Sequence, residues 1–407
     1  MPMVSITSGA FCAADQVAPS VARELGCQLI DDAAFIGQMV EQPPYTEAKL
    51  RKALFEKPGV FNNFSREKER CLAWLKLGLG CLAGEDNLVY WGLAGIMIPQ
   101  GIGHVLRVCL IADARSRAKL LTAHSGLDEK EALERVHRGD EPAMLLAAYL
   151  GRRDPWDAEA YDMIIPMDKT TPEQAAALIC QHARSWQLRT TPESLAAASD
   201  LVTTARVELA LLDKGHNSRD LSVLVRQGVA VVTVNKKVMM FSRLEEELKR
   251  LAEQVDGVKA AEIKVGPGYY QADVYLKADF DLPRKVLLVD DEREFVQTLS
   301  ERLLLREIGS AVVYDGEQAL NLVEEDEPEV VVLDLKMPGI DGIEVLRRLK
   351  RDHPKVEVII LTGHGSAKGR QICLELGAFA YLEKPVDIDA LSQTMREAYD
   401  KIRSRKA

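Results

Sequence analysis

The last third of the chain alternates short apolar runs with amphipathic stretches. Five of the runs are rich in Val, Ile, Leu or Ala and flanked by polar residues: KVLLVDD, GSAVVY, EVVVLDL, VEVIILTG and GAFAYLEKP. Between them lie stretches with helical periodicity, such as REFVQTLSERLLLRE and IEVLRRLKRD. This alternation is typical of a doubly wound parallel sheet that helices cover on both faces. The pattern therefore predicts an α/β domain over residues 284–407.

The preceding stretch, residues 191–280, follows a different pattern. It reads as a helix, two strands around a Gln227-Gly228 turn, a second helix, an Asp256-Gly257 turn and two more strands, KAAEIKV and YQADVYLK. Such an order predicts a small α+β module. The polar residues RTTP mark its start, and ADFDLPRK, residues 278–285, reads as the linker to the last domain.

The chain begins with an apolar strand, a loop and a helix within residues 1–190. In nucleotide kinases a glycine-rich loop at this position wraps a phosphate. Here the loop ITSGAFCAAD has a single glycine, Gly9, and it ends in the carboxylate of Asp15. Further along, residues 50–82 mix apolar, aromatic and cationic residues. They predict an amphipathic helical insert that packs by its apolar face, with a nucleic-acid surface as the alternative.

Composition and charge narrow the class of protein. A length of 407 residues favours two or three domains, and 47% hydrophobic with 28% charged residues is typical of a globular protein. The seven scattered cysteines form no C-x-x-C pair, which favours free thiols in a reducing compartment. The net charge of −10 disfavours nucleic-acid binding. We see neither a long uncharged apolar run nor a leader, so we expect a cytoplasmic protein without a membrane contact.

Polar residues with related chemistry follow the predicted strands of the last domain. Asp290-Asp291 follows the first strand, Asp334 the third, Thr362 ends the fourth and Lys384 follows the fifth. The carboxyl ends of parallel strands meet at one edge, so these side chains should converge. Clustered carboxylates repel one another, and Mg²⁺ relieves that repulsion through oxygen ligands. A carboxylate beside Mg²⁺ and an ammonium group is suited to attack phosphorus, whereas ordinary loop acids are the alternative interpretation.

Residues 284–407 resemble the receiver domain of two-component response regulators through LLVDDE, VVVLDLKMPGIDG, ILTGHG and YLEKP. The resemblance implies a flavodoxin-like (βα)5 fold, phosphorylation on Asp334, and a sensor histidine kinase or phosphotransfer protein as partner. It also implies a cis Lys384-Pro385 bond. It implies roles for the following residues: Asp291, Asp334 and the Lys336 backbone carbonyl bind Mg²⁺, Asp290 assists through water, Lys384 holds the phosphoryl group, and Thr362 with Tyr381 forms the switch pair.

Residues 3–187 resemble the cytidylate-kinase-like family of P-loop proteins, most clearly in YDMII followed by the helix start TTPEQ. Three phosphate-handling elements depart from that family. Phe11-Cys12-Ala13-Ala14 replaces Gly-Ser-Gly-Gly, and Gly92-Leu93-Ala94-Gly95 lacks the arginine of Gly-Arg-Gly-Ala. In the lid, Asp140 is followed by Glu141-Pro142-Ala143 rather than arginines. Phosphoryl transfer depends on such groups, so we predict an inactive kinase fold. Arg152 and Arg153 as substitute lid arginines are the alternative.

The middle module resembles the BON fold through Gln227-Gly228-Val229 and Asp256-Gly257-Val258, with an unrelated α+β domain as the alternative. The leading hypothesis is a response regulator whose phosphorylation switches the interactions of a degenerate kinase-like output module. A receiver-regulated nucleotide kinase is the alternative, and charge disfavours a DNA-binding regulator. The receiver resemblance further suggests that the surface around residues 367–376, strand five and residues 388–403 packs on N-terminal segments or on a second subunit in a homo-oligomer.

Overall fold

The computed structural model describes residues 2–41, 44–216, 220–238, 241–267, 269, 282–306, 308–363 and 367–405. The chain divides into two compact units. The first contains Met1–Lys57, Lys68–Leu212 and Asn217–Tyr275, and the second contains Pro58–Glu67, Asp213–His216 and Leu276–Ala407. Within the described residues, no helix is both long and apolar enough to cross a membrane. The division into three domains at 1–190, 191–280 and 284–407 stays a prediction.

The first unit is built around a parallel sheet of five strands in the order β2-β3-β1-β4-β5. The strands are β1 Met3–Ser8, β2 Gln28–Asp31, β3 Leu88–Trp91, β4 Val105–Ile111 and β5 Met163–Pro166. The helices along this part of the chain are α1 Ala14–Leu25, α2 Asp32–Val40, α3 Glu47–Phe55, α4 Asn62–Ser65, α5 Glu67–Ala83, α6 Ala114–Ser125, α7 Glu129–Tyr149 and α8 Pro172–Ala183, with 3₁₀ turns at Leu93–Met97, Ala158–Ala160 and Trp186–Leu188.

Apolar clusters cover both faces of this sheet, as its continuous apolar strands require. The helix that the sequence predicts after β5 begins with a capping box. The Thr171 hydroxyl accepts from the Gln174 amide at 3.3 Å, and the Gln174 side chain accepts from the Thr171 amide at 3.0 Å. Pro172 at the first helical position needs no amide partner. This part of the sequence pattern is confirmed.

The rest of the first unit is a small α+β region, as predicted. It contains α9 Pro192–Asp213, β6 Leu221–Arg226, β7 Val229–Val234, α10 Phe241–Glu253 and β8 Ala260–Val265. β6 and β7 pair antiparallel through a turn in which Gln227 and Gly228 both have positive φ, as a two-residue hairpin needs. β8 joins β7 in parallel. The predicted strand YQADVYLK lies outside the described residues, as does part of the predicted linker 278–285.

The second unit contains a five-stranded parallel sheet in the order β10-β9-β11-β12-β13. Its strands are β9 Val286–Val289, β10 Ser310–Val313, β11 Val330–Leu333, β12 Glu357–Thr362 and β13 Ala380–Glu383. Its helices are α11 Arg293–Leu304, α12 Gly316–Glu325, α13 Gly342–Asp352, α14 Ala367–Glu375 and α15 Ile388–Ser404. This strand order is that of flavodoxin-like sheets, and apolar clusters lie on both faces. The predicted fold of this domain is confirmed.

The predicted helical insert over residues 50–82 is interrupted. α3 ends at Phe55 and α5 begins at Glu67, and between them Pro58 and Gly59 precede the single turn of α4. Proline lacks an amide donor and disfavours helix in the residue before it, which explains the break. The segment Pro58–Glu67 belongs to the second unit, whereas the chain on either side of it belongs to the first.

We expect the second unit to depend on its core leucines. Leu349 on α13 is fully buried, so Leu349→Ala should lower the free energy of unfolding by about 2–5 kcal/mol, from lost burial and the cavity left behind. Leu305 is 83% exposed, so Leu305→Ala should change the free energy of unfolding by about 0.5 kcal/mol or less. Hydrogen exchange of peptides from residues 284–405 during urea unfolding measures both. Equal effects would contradict the assignment of Leu349 to the core.

Candidate functional site

The predicted polar side chains meet at the carboxyl edge of the second unit's sheet. Asp290 directly follows β9, Asp334 directly follows β11, and Thr362 is the last residue of β12. The register places Val289 opposite Leu333, so the two aspartates that follow these residues are neighbours across adjacent strands. All three side chains are buried. The parallel register therefore determines this cluster.

Lys384, which follows β13, provides the positive charge of this cluster. Its Nζ lies 2.6 Å from Asp290 Oδ2, 2.9 Å from Glu292 Oε1 and 3.5 Å from Asp334 Oδ2. The same ammonium lies 4.3 Å from the centroid of the Phe295 ring, which favours a cation on its face. The Lys384-Pro385 peptide bond, which follows β13, is cis, as predicted. One ammonium group thus contacts three carboxylates.

Backbone contacts fix the orientation of the Asp334 carboxylate. Its Oδ1 accepts a hydrogen bond from the Leu335 amide at 2.7 Å, while Oδ2 faces Lys384. The start of α13 approaches this loop closely. A Cβ on Gly342 would come within 2.3 Å of the Asp334 carbonyl oxygen, so only glycine fits there. The two oxygens of Asp334 therefore have different surroundings.

Burial and charge shift two pKa values in the pocket. Burial raises the pKa of Asp290, which outweighs the opposing hydrogen bonds from Lys384 and the Glu292 amide. Burial alone would lower the pKa of Lys384, but its hydrogen bonds to Asp290 and Glu292 outweigh that effect and raise it. Lys384 is consequently protonated at neutral pH.

The donor set of this pocket suits a hard divalent cation. Asp290, Glu292 and Asp334 each offer a carboxylate oxygen, and these atoms lie within 4.8 Å of one another. One ammonium does not balance three carboxylates, and Mg²⁺ takes oxygen ligands. Asp291 and Lys336, which lie next to this group in the sequence, are both exposed. The residues present fit a magnesium ion.

The first unit contains the loop between β1 and α1, the position at which nucleotide kinases bind a phosphate. Phe11 and Ala13 have φ values of 62° and 54°, in the left-handed region that favours glycine. The loop therefore keeps left-handed residues although glycines are missing at both positions. The replacement of Gly-Ser-Gly-Gly by Phe11-Cys12-Ala13-Ala14 therefore does not remove left-handed residues from the loop, contrary to what the loss of glycine suggests.

A buried ion pair occupies this loop. The Ala10 amide donates to Asp140 Oδ1 at 2.8 Å, and Arg117 Nη1 donates to the Ala10 carbonyl at 3.0 Å. Arg117 Nη2 lies 2.9 Å from Asp140 Oδ2, and their side chains are only 5% and 9% exposed. Gly139 on α7 comes so close that an added Cβ would lie 2.5 Å from the Ala10 Cβ. A carboxylate of the chain itself thus takes an amide that a phosphate loop would present to its ligand.

A second carboxylate takes the amides that follow β3. Asp32 accepts from the Leu93 and Ala94 amides at 2.6 and 3.2 Å and from the Tyr90 hydroxyl at 2.5 Å. Burial raises the pKa of Asp32 above its usual value, although these hydrogen bonds oppose the shift. A cavity of about 380 Å³ lies beside Asp32 and is also lined by Arg51.

Comparisons with known proteins agree with the two resemblances. A model of the response regulator receiver domain matches residues 286–396, and a model of the cytidylate kinase-like family matches residues 3–169. Sporulation initiation phosphotransferase F of Bacillus subtilis is 37% identical over 28% of this chain and 91% of its own length. The chain belongs to the response regulators. Its receiver is the second unit's sheet with the covering helices, preceded by a cytidylate kinase-like region.

Two full-length relatives of this response regulator share only part of their length with it. The C4-dicarboxylate transport transcriptional regulatory protein DctD of Pseudomonas aeruginosa is 39% identical over 30% of this chain and 27% of its own. Response regulator MprA of Mycolicibacterium vanbaalenii is 36% identical over 28% of this chain and 50% of its own. The receiver domain of a Francisella response regulator is 33% identical over 29% of this chain and 98% of its own, with a TM-score of 0.28. The chain therefore spans half or less of several full-length relatives.

The receiver brings together Asp290, Asp334, Thr362 and Lys384 as expected from the strand ends. Tyr381 is buried within β13, in the same apolar cluster as the residues that flank Asp334. Sequence reasoning missed Glu292, the third acid of the run DDE, whose spacing of two from Asp290 was the available signal. It also missed Arg117, the partner of Asp140, because no local pattern joins residues on different helices. The roles of the predicted residues remain proposals.

We expect the buried pair of Arg117 and Asp140 to be sensitive to removal of one partner. Asp140→Ala leaves the guanidinium buried without its carboxylate, which should lower the free energy of unfolding by about 3–5 kcal/mol. Glu141→Ala is the matched control, because Glu141 is 53% exposed and pairs with Lys57 at 3.4 Å, which should cost about 0.5 kcal/mol or less. All four tryptophans belong to the first unit, so their fluorescence reports its unfolding. Similar losses for both variants would argue against the buried pair.

Proposed function

We propose that this response regulator accepts a phosphoryl group on Asp334, with Mg²⁺, and that phosphorylation switches the interactions of a kinase-like output region that no longer transfers phosphate. The observation that carries the receiver part is the contact of one ammonium, Lys384, with Asp290, Glu292 and Asp334. Receiver domains generally receive phosphoryl groups from sensor histidine kinases or phosphotransfer proteins. We propose the same class of partner here.

The chemistry is a displacement at phosphorus. An Asp334 oxygen attacks the phosphorus, an O–P bond forms, and the bond from phosphorus to the donor atom breaks. The electron pair leaves with the donor, an imidazole nitrogen of a histidine or the acetate oxygen of acetyl phosphate. Lys384 stabilises the charge on the phosphoryl oxygens from a position already fixed by its carboxylate contacts. Thr362, buried at the end of β12, is suited to bond a phosphoryl oxygen, and Tyr381 would follow its movement.

The residues that would hold the cation are Asp291, Asp334 and the Lys336 carbonyl, with Asp290 assisting through water. Glu292 adds a carboxylate to the same cluster. When bound, Mg²⁺ neutralises negative charge on the phosphoryl oxygens and on the carboxylates that surround them. Receiver domains generally bind Mg²⁺ at the phosphorylation site.

Phosphoryl labelling tests this proposal directly. Full-length protein incubated with acetyl phosphate and Mg²⁺ should gain one phosphoryl group by intact mass, and Asp334→Asn should gain none. Asp341→Asn is the control, because Asp341 is an exposed helix N-cap whose function asparagine preserves. Removal of Mg²⁺ with EDTA should abolish labelling of the wild type. Equal labelling of the wild type and Asp334→Asn would refute the assignment.

The output part of the proposal rests on the charges at the loops of the first unit. The Asp140 carboxylate accepts a hydrogen bond from the Ala10 amide, and the Asp32 carboxylate accepts hydrogen bonds from the Leu93 and Ala94 amides. Backbone amides are what a phosphate loop offers its ligand, so these carboxylates compete with any phosphate. The left-handed residues Phe11 and Ala13 and the cavity beside Arg51 favour the alternative, a receiver-regulated nucleotide kinase.

Turnover separates these two functions. We expect transfer from ATP to CMP or related monophosphates to stay below about 1 s⁻¹, the low end for kinases, whether or not the receiver is phosphorylated. A coupled ADP-release assay with and without acetyl phosphate measures this. A thermal-shift screen against nucleoside mono- and triphosphates reports binding without turnover. Faster turnover that depends on phosphorylation of Asp334 would establish the regulated kinase instead.

A further inference from the structure

The segment Pro58–Glu67 packs on the receiver through two phenylalanines, of which Phe61 is fully buried. Phe61 is fully buried, in the same apolar cluster as Leu287 and Val289 of β9. Its neighbour Val60 is 46% exposed. The ring of Phe64 covers Gly309, where an added Cβ would lie 1.8 Å from the ring. The segment therefore fills a site on the receiver as a ligand would.

A partly buried charge cluster contacts the same segment. Asp326, at the end of α12, accepts from the Phe61 amide at 3.3 Å and from Lys285 Nζ at 2.9 Å. Lys285 Nζ also lies 2.8 Å from Glu67 Oε2. A Cβ on Gly59 would come within 2.2 Å of Asp326 Oδ2, so glycine permits the close approach. Charge-assisted hydrogen bonds in a partly buried site give this contact a defined geometry.

The residues on either side of the segment belong to the first unit. Lys68 Nζ donates to the Glu56 carbonyl at 2.5 Å, which joins the residues on either side of the segment. α5, which begins at Glu67, continues into the apolar cluster of the first unit through Leu72, Leu75 and Leu79. The segment is therefore continuous in sequence with a core helix of the kinase-like region.

The docking site and the phosphorylation site lie at opposite ends of the same strand. Lys285 directly precedes β9 and Asp290 directly follows it, a separation of roughly 16 Å at the strand rise. Phe61 also shares its apolar cluster with Leu333 and Leu335, which flank Asp334 in the sequence. Tyr381 of the proposed switch pair belongs to the same cluster. Packed cores respond to a local change by discrete repacking, so the two sites have a physical connection.

We infer that phosphorylation of Asp334 changes the affinity of the receiver for the docked segment Pro58–Glu67, which belongs to the same compact unit. This inference rests on the proposed phosphorylation. It differs from the expectation that phosphorylation acts on the surface of α14, β13 and α15, which stays a prediction. Coupling between two sites is reciprocal, so the docked segment must change binding at Asp334 by the same factor by which phosphorylation changes docking of the segment.

Beryllofluoride, a phosphoryl mimic, provides the test in the full-length protein. Hydrogen exchange of amides 58–67 in the wild type should change by about fivefold or more when beryllofluoride and Mg²⁺ are added, and not in Asp334→Asn. Phe61→Ala should raise hydrogen exchange of the segment. It should also shift the beryllofluoride midpoint, measured by ¹⁹F NMR, by the factor by which beryllofluoride changes the exchange of amides 58–67 in the wild type. Val60→Ala should leave both unchanged. Asp326→Asn, which retains an acceptor for the Phe61 amide, tests the same coupling if Phe61→Ala does not fold.

The outcomes separate this inference from the proposed function. If Asp334 is labelled by acetyl phosphate but neither the exchange of residues 58–67 nor the midpoint in Phe61→Ala changes, the coupling inference is wrong and the phosphorylation stands. If Asp334 is not labelled, the proposed function fails first and the inference fails with it. A matched change in both measurements supports coupling between Asp334 and the docked segment.

Discussion

In a parallel sheet every strand delivers the residues after it to the same edge, so their side chains share one electrostatic environment. This chain contains two such sheets, and the charge balance at each carboxyl edge differs. In the receiver, one lysine contacts three carboxylates, which leaves an excess of negative charge that a divalent cation relieves. In the kinase-like region, the carboxylates of Asp140 and Asp32 are satisfied by backbone amides, and Asp140 also pairs with Arg117. At the second edge, both carboxylates already have hydrogen-bond partners within the chain.

Sequence patterns predicted the receiver well because each strand, and the polar residue that follows it, is specified within a short stretch of sequence. Short apolar runs specified the strands, and the polar residues after each run specified the site, since register and edge follow from the parallel topology. The capping box at Thr171 and the turn at Gln227-Gly228 were readable for the same reason. Where one short stretch contains both the signal and its structural consequence, sequence reasoning succeeds.

The parts that sequence reasoning missed depend on distant partners. Arg117 and Asp140 are 23 residues apart on different helices, and Phe61 meets Asp326 across 265 residues. No periodicity carries such pairings. The loop after β1 illustrates a second limit. The preference for glycine at left-handed positions is an average over many proteins. Here Phe11 and Ala13 adopt that conformation at a conformational cost. The close packing of Gly139 on Ala10 and the contacts of Arg117 and Asp140 stabilise the loop against that cost. Tertiary contacts thus overrode the local preference.

The size of the docked segment bears on whether it can act as a switch. Burial of one phenylalanine contributes about 1.5–3 kcal/mol, and a charge-assisted hydrogen bond adds about 1.5–3 kcal/mol. Allosteric coupling between two sites typically amounts to about 1–3 kcal/mol, and a nearly complete population shift requires roughly 5.5 kcal/mol. In the segment Pro58–Glu67, burial of Phe61 and one hydrogen bond of its amide to Asp326 together amount to about 3–6 kcal/mol, which is of the same order as the population shift that a switch requires. On the inference above, an event at the other end of β9 can therefore change how often this segment is docked.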